Sequence, residues 1–155
     1  MNLPVRGRIH HVATVVRDLD AAIDFHMRVL GLPLEQVADV PSQEVRIAFL
    51  SAGDSKIELV SPTNATSGVA RFLEAKGEGF HHLCLEVTDI AGELAAIAAA
   101  GVQLINDEAV AGVEGPVAFL HPKSCNGVLI ELIEAPGGPA WKKLGFGAPG
   151  ELRIR

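Results

Sequence analysis

The chain is short of several residue types that mark particular classes of protein. It has no tyrosine, one tryptophan and only two cysteines among its 155 residues. Cys84 and Cys125 are too few for a disulfide framework and are not spaced as a CxxC metal or redox site, so we expect buried free thiols. Positive charge is also scarce, since 13 Lys and Arg stand against 19 Asp and Glu and the net charge is -6. This balance argues against nonspecific nucleic-acid binding, which needs a basic surface.

Long apolar runs are missing as well. No stretch approaches the roughly 20 apolar residues that a membrane helix requires, and the opening MNLPVRGRIHH lacks the apolar core of a secretory signal. We therefore expect no membrane association and a cytoplasmic location. The composition is that of a globular protein, 48% hydrophobic and 21% charged, over a length that suits one domain.

The chain contains an internal repeat. HHVATVVRDLDAAI, near the start, resembles HHLCLEVTDIAGEL in the second half. In each copy a pair of histidines opens a β-rich run, an aspartate follows, and an alanine-rich helical pattern comes next. Further along, AFLSAGDSKIELV corresponds to AFLHPKSCNGVLIELI, so His11 is equivalent to His82 and Glu58 to Glu131. The two extra residues of the second copy fit in the turn where KSCNG replaces GDS, which leaves the strand register unchanged.

The repeat predicts an α+β fold of two βαβββ modules, at about 8–61 and 80–134, within a single domain over 1–155. Helices are predicted at 19–30 and 89–100. Runs rich in β-branched residues and bounded by turn residues predict strands. Their ranges are 9–16, 33–38, 44–51, 55–61, 80–87, 102–105, 115–121 and 127–134.

The ends of the helices carry capping signals. Asp18 or Asp20 is expected to cap the first helix and Asp89 the second, and both helices should stop near a glycine, Gly31 and Gly101.

Two segments lie outside the repeat. A linker, 62–79, is predicted to contain one short helix at about 69–76. We expect this helix to serve packing rather than contact with CoA. The tail, 135–155, is rich in Gly and Pro and carries Trp141, so part of it is expected to dock on the body.

Two histidines and two glutamates recur at equivalent positions. If the modules pair about a pseudo-two-fold axis, His11 approaches His82 and Glu58 approaches Glu131. Each glutamate follows an isoleucine in an apolar strand, where a buried carboxylate is costly unless it is paired or binds a cation. Two imidazoles and two carboxylates suit cobalt, nickel, zinc, manganese or iron. A single histidine or an isolated IEL is more often structural, so the predicted metal site depends on the paired recurrence.

His10 and His81 stand next to the predicted ligands. Strand alternation places them on the opposite face. We therefore expect a structural or supporting role for both, not ligation.

At these residues the sequence resembles the vicinal oxygen chelate superfamily and, within it, the methylmalonyl-CoA epimerase family. The similarity covers about 8–134 and is most specific in GEGFHHLCLEV and FLHPKSCNGVLIEL. It implies a glyoxalase-like fold with a metal site in the cleft and ligands at His11, Glu58, His82 and Glu131, although some members have glutamine where Glu58 stands. It also implies a homodimer and a divalent metal, cobalt first, with manganese, nickel or zinc as alternatives.

The resemblance further implies an activity. Such an enzyme interconverts the R and S forms of methylmalonyl-CoA by removing and replacing the proton between two carbonyls, through a metal-stabilised enolate. Glu131 is the implied base. Lys123 is a candidate contact for the CoA phosphates or the substrate carboxylate, or else a solvated turn lysine. The chain departs from part of the family at Ile47, where several members have a second glutamate, and Glu44 is a weak substitute.

The sequence alone leaves other functions open. A glyoxalase I-like lyase acting on a glutathione hemithioacetal would use a similar four-ligand site. An extradiol dioxygenase needs only two histidines and one carboxylate, so Glu58 would be surplus. A non-catalytic protein that sequesters an antibiotic often lacks the ligands that are present here.

Overall fold

The computed structural model describes residues 8–134, which divide into two compact units. The first unit is His11–His82, and the second joins 8–10 to the chain from Leu83 onward. Within 8–134 no helix is both long and apolar enough to cross a membrane. The tail predicted at 135–155, with Trp141, lies outside the described residues.

The first unit contains one βαβββ repeat followed by the linker helix. Its strands are β1 (Ile9–Val15), β2 (Leu34–Val40), β3 (Val45–Ala52) and β4 (Ser55–Pro62), and its helices are α1 (Leu19–Asp24) and α2 (Gly68–Lys76). The strand order is β2-β3-β4-β1, with β1 parallel to β4 and the other neighbours antiparallel. The short helix predicted in the linker is confirmed as α2.

The second unit repeats this connection. Its elements are β5 (Gly79–Val87), α3 (Ile90–Ala99), β6 (Val110–Ala111), β7 (Pro116–Leu120) and β8 (Ile130–Glu134). The unit boundary falls within β5, so its residues up to His82 belong to the first unit. The order is β5-β8-β7-β6, again with the first and last long strands parallel. The two predicted βαβββ modules are therefore confirmed.

Each unit has its own apolar core. In the first, α1 packs through Leu19 against Leu50 and Leu59, which are fully buried. In the second, α3 packs through Leu94 on a cluster that includes Leu132, also fully buried. Burying a leucine contributes about 1.5–3 kcal/mol relative to its exposed state, so these contacts fix each helix against its sheet.

The predicted helix caps are confirmed. The Asp18 carboxylate accepts a hydrogen bond from the Ala21 N–H at 3.0 Å, and the Asp89 carboxylate accepts one from the Gly92 N–H at 3.1 Å. Such a cap contributes about 1 kcal/mol. Asp20 lies inside the first turn of α1 and is not the cap. The glycines expected at the two stops have the left-handed φ that suits them, 70° at Gly31 and 85° at Gly101.

The first predicted helix is shorter than expected. α1 ends at Asp24, and Phe25–Val29 forms a wider π turn in which the Leu30 N–H reaches the Phe25 carbonyl at 3.3 Å. The ring of His26 explains the change, because its Nδ1 lies 2.8 Å from the Ala22 carbonyl and occupies an acceptor of the regular helix.

The strand predicted at 102–105 is wrong. Only Leu104 forms an isolated bridge there. Two backbone bonds join this segment to β7 and the residue after it, since the Ile105 N–H donates to the Phe119 carbonyl and the His121 N–H donates to the Gln103 carbonyl, both at 2.9 Å. Side chains accept two other backbone bonds: Ser124 Oγ accepts from the Gln103 N–H and Asn106 Oδ1 accepts from the Phe119 N–H, both at 2.9 Å. The short strand at Val110–Ala111 was not predicted.

Candidate metal centre

His11 and Glu58 come together on neighbouring parallel strands. In the register of β1 and β4, Ala13 lies opposite Glu58, and alternation turns His11 to the same face as Ala13. His11 Nε2 is 3.0 Å from Glu58 Oε2, and both side chains are buried. Burial of this carboxylate is costly unless a cation or a donor faces it, and His11 supplies the donor.

His82 completes a cluster of three polar side chains within the first unit. Its Nε2 lies 3.1 Å from His11 Nε2, and the two rings meet edge to face with centroids 5.3 Å apart. The ring of Phe49 packs edge to face on His11 from the other side, at 5.4 Å. Phe49 also lies opposite Glu58 in the register of β3 and β4. The cluster is thus held in an apolar setting that keeps the side chains in place.

The environment keeps His82 neutral. Burial, and then the nearby rings of His11 and His81, hold the pKa of His82 well below its ordinary value. A metal ion binds the neutral imidazole through a free lone pair, so a low pKa suits ligation. Two imidazoles and a carboxylate that converge in this way fit a divalent ion of intermediate softness.

Glu131 occupies the corresponding place in the second unit. It lies on β8, is buried, and stands opposite Cys84 on β5 and Phe119 on β7. Glu58 has the same two kinds of neighbour, Ala13 on β1 and Phe49 on β3. The equivalence that the repeat predicts for Glu58 and Glu131 is therefore confirmed strand by strand.

His10 and His81, the histidines that precede the predicted ligands, differ in their contacts. His10 is buried in the second unit, with its Nε2 at 3.0 Å from Glu114 Oε2, which is a structural contact. The expectation that His81 lies on the opposite face from His82 is wrong, because His81 Nδ1 is 2.8 Å from His82 Nδ1. The adjacent rings meet edge to face at 5.1 Å, so side-chain rotation overrides strand alternation here.

The departure at Ile47 is visible in the core. Ile47 is buried in a cluster with Ala13, Val15 and Phe49. Glu44 follows the turn before β3, has a left-handed φ of 56° and is exposed. Neither position offers a proton carrier beside His11.

The sequence also made predictions for Lys123 and for the two cysteines. Lys123 is exposed in the short turn Pro122–Ser124, where its backbone N–H donates to His121 Nδ1 at 3.1 Å. Cys84 is a buried free thiol as predicted, whereas Cys125 is a free thiol only partly buried.

Sequence reasoning missed one residue of this region, Phe49, which packs on His11. It named His81 but not the contact of the His81 ring with His82. A signal for Phe49 exists, because the same AFL triplet precedes the turn in both copies of the repeat and gives Phe49 and Phe119. No periodic signal marks the orientation of the His81 ring.

Comparison with known proteins agrees with the fold. Residues 10–119 match the model of the Glyoxalase/Bleomycin resistance protein/Dioxygenase superfamily. Mitochondrial methylmalonyl-CoA epimerase of Mus musculus is 40% identical over 83% of this chain and 74% of its own. Ethylmalonyl-CoA/methylmalonyl-CoA epimerase of Cereibacter sphaeroides is also 40% identical, over 81% of this chain and 96% of its own.

A solved structure of an epimerase has a similar fold. A methylmalonyl-CoA epimerase in complex with methylmalonyl-CoA and NH4+ superposes with a TM-score of 0.83 at 33% identity, covering 87% of this chain and 99% of that one. The glyoxalase-like fold that the family resemblance implies is confirmed. The chain belongs to the methylmalonyl-CoA epimerase family, within the Glyoxalase/Bleomycin resistance protein/Dioxygenase superfamily.

Proposed function

We propose that this chain is a metal-dependent isomerase that interconverts the R and S forms of methylmalonyl-CoA. The observation that carries the proposal is the buried convergence of His11, Glu58 and His82, with 3.0 and 3.1 Å between their polar atoms. Membership of the epimerase family supports the substrate, since relatives are named for it and one neighbour is in complex with it.

The proposed ligands are His11, Glu58, His82 and Glu131. Glu131 is included because it repeats in the second unit the strand position that Glu58 has in the first. The donor set suits cobalt first by family resemblance, with manganese, nickel or zinc as alternatives. When bound, the ion would stabilise the negative charge that develops on the enolate oxygen.

Glu131 is also the proposed base. Its carboxylate would take the proton from the carbon between the thioester and the carboxylate of the substrate, leaving the electron pair delocalised as the enolate. A second group, a water or another side chain, would donate a proton to the opposite face and give the other stereoisomer, after which Glu131 releases its proton to solvent and the second group regains one. Ile47 and Glu44 are unsuited to the second face, since one is buried among apolar side chains and the other is exposed beyond the turn.

Further parts of the proposal concern contacts outside this cluster. Lys123 is exposed and positively charged, which suits a contact with the CoA phosphates or the substrate carboxylate. A homodimer is proposed from family resemblance, and the first unit exposes large apolar side chains that a partner could cover, among them Phe25, Met27 and Val29. The cytoplasmic location stays a prediction.

Incorporation of deuterium tests the reaction. Incubation of the metal-loaded protein with one stereoisomer of methylmalonyl-CoA in heavy water should add one deuterium to the acyl group and produce both stereoisomers. Mass spectrometry and chiral analysis measure the two results. Prior treatment with a chelator should abolish both, and added cobalt should restore them. No deuterium after metal loading, together with turnover of a glutathione hemithioacetal, would instead identify the glyoxalase I-like alternative.

A further inference from the structure

One lysine lies on the same face of the first sheet as two of the proposed metal ligands. Lys56, on β4, stands opposite His11 in the parallel register with β1 and comes two residues before Glu58. Strand alternation turns Lys56 and Glu58 to the same side of the sheet. Val60 follows the same alternation and packs in the cluster that contains Phe49, whereas the other side of the sheet is covered by α1. Lys56 therefore belongs to the face that presents His11 and Glu58.

The ring of Phe49 contacts both Lys56 and His11. The Lys56 Nζ atom lies 5.4 Å from the centre of that ring, which is within the range of a cation–π contact, and His11 meets the same ring edge to face at 5.4 Å. Phe49 is buried, whereas 19% of the Lys56 side chain stays exposed. The ammonium group is thus held near the proposed metal ligands and is still accessible to a molecule that enters from solvent.

A bulge in β2 brings an acidic side chain to this lysine. The pairing of β2 with β3 shifts register between Leu34 and Gln36, so Glu35 is the extra residue of the bulge. The Glu35 Oε2 atom lies 2.9 Å from Lys56 Nζ and reaches it across the intervening strand β3. Glu35 is exposed, and ion pairs at exposed positions are weak. Because an ammonium group has three N–H donors, this contact orients Lys56 without preventing a second carboxylate from binding there.

The substrate proposed for this chain carries the complementary charge. Methylmalonyl-CoA, for which the relatives are named, has a free carboxylate on the carbon that loses its proton. Removal of that proton adds negative charge to an acyl group that is already anionic. The two glutamates of the proposed ligand set cancel the charge of a divalent ion, so a further cation on the same face would offset the charge of the substrate.

We infer that Lys56 binds the free carboxylate of the substrate and so selects CoA esters of dicarboxylic acids over those of simple fatty acids. The inference rests on the proposed function for the identity of the substrate, and it leaves the exposed Lys123 to the CoA phosphates. Glu35 holds the Lys56 ammonium when no substrate is bound. The Phe49 ring keeps the lysine side chain against the sheet.

Calorimetric titration with two CoA esters tests this contact. Propionyl-CoA lacks only the free carboxylate of methylmalonyl-CoA, so loss of a residue that binds this group weakens one ester and not the other. In the cobalt-loaded protein, Lys56→Met should bind an equilibrated mixture of R and S methylmalonyl-CoA about 10–100-fold more weakly than wild type, as for loss of a hydrogen bond to a charged group. Its affinity for propionyl-CoA should be unchanged, and elemental analysis should find the wild-type cobalt content.

Two further variants separate substrate binding from a structural role of the ion pair. Glu35→Gln breaks the same ion pair but keeps the ammonium group, so methylmalonyl-CoA should bind at least as tightly as it does to wild type. Lys56→Arg keeps the positive charge and should retain the preference for methylmalonyl-CoA over propionyl-CoA. Circular dichroism should show that all three variants fold.

Three results would overturn the inference. The first is wild-type affinity of Lys56→Met for methylmalonyl-CoA, and the second is equal weakening of both esters, which would assign the contact to the CoA part. The third is an equal loss in Lys56→Met and Glu35→Gln, because the ion pair would then serve only the structure. If wild type binds methylmalonyl-CoA with the expected dependence on Lys56 but incorporates no deuterium, the proposed epimerisation fails and the carboxylate contact stands.

Discussion

Glu131→Gln is expected to reduce epimerisation about 10²–10⁴-fold, the range for loss of a general base. Glutamine keeps the size of the side chain and one oxygen, so cobalt binding should weaken only moderately. Excess cobalt should restore occupancy without restoring the rate. Because each acid–base group serves one face, exchange of the substrate proton should fall more for one stereoisomer than for the other. Deuterium incorporation from each pure stereoisomer, at saturating metal, measures the effect.

Glu58→Gln is the matched control. Glu58 and Glu131 have equivalent strand neighbours and both are buried, so the two substitutions perturb their sheets alike. Both remove one carboxylate from the proposed ligand set, but only Glu131 is the proposed base. Glu58→Gln should therefore keep most of its exchange rate at saturating metal. Wild-type exchange of both stereoisomers by metal-saturated Glu131→Gln would show that Glu131 is not a base, whatever its place among the ligands.

His82→Ala is expected to abolish stable metal binding. Loss of a partner that merely orients a ligand costs 10–100-fold in affinity, so loss of a direct ligand should cost at least about 100-fold. The substitution also leaves His11 Nε2 without its neighbour at 3.1 Å. Elemental analysis after dialysis should find almost no bound cobalt, and epimerisation should vanish because the enolate charge is no longer stabilised.

His121→Ala is the control for His82→Ala. His121 is a half-buried histidine in the second unit whose Nδ1 accepts a backbone hydrogen bond in the turn before β8. Its removal should leave cobalt content unchanged. Circular dichroism should confirm that both variants fold. A folded His82→Ala protein that retains full cobalt after dialysis would show that His82 is not a ligand.

The repeat in the sequence was sufficient to predict the architecture and the equivalence of its polar residues. Strand alternation and register are local consequences of chain periodicity, so a match such as KIELV with VLIELI places Glu58 and Glu131 at the same point of two sheets. The contact of His11 with Glu58 follows from the parallel pairing of β1 and β4.

Features that depend on side-chain hydrogen bonds were not predictable in the same way. The His26 ring interrupts a helix whose residue pattern favours its continuation, and the Phe119 N–H donates to the Asn106 side chain and not to a backbone carbonyl. The His81 ring turns to meet His82 although alternation along β5 separates their Cβ directions. Each outcome is decided by a rotamer and a nearby acceptor, neither of which appears in a hydrophobic period.

The sequence and the structure each explain part of the difference at Ile47. The sequence showed that a glutamate found in several family members is replaced by an apolar residue. The structure adds that Ile47 packs with Val15 and Phe49 in the core of the first unit. In the proposed mechanism the second proton transfer therefore requires another group.

We propose that one divalent ion is held by His11, Glu58, His82 and Glu131. A crystal structure of the cobalt-loaded protein, with an anomalous difference map recorded at the cobalt absorption edge, tests this ligand set. We expect a single strong peak per chain with the Nε2 atoms of both histidines and an oxygen of each glutamate at about 2.0–2.2 Å, as for first-row ions in such sites. A peak elsewhere, or one at this place that Glu131 does not reach, would contradict it.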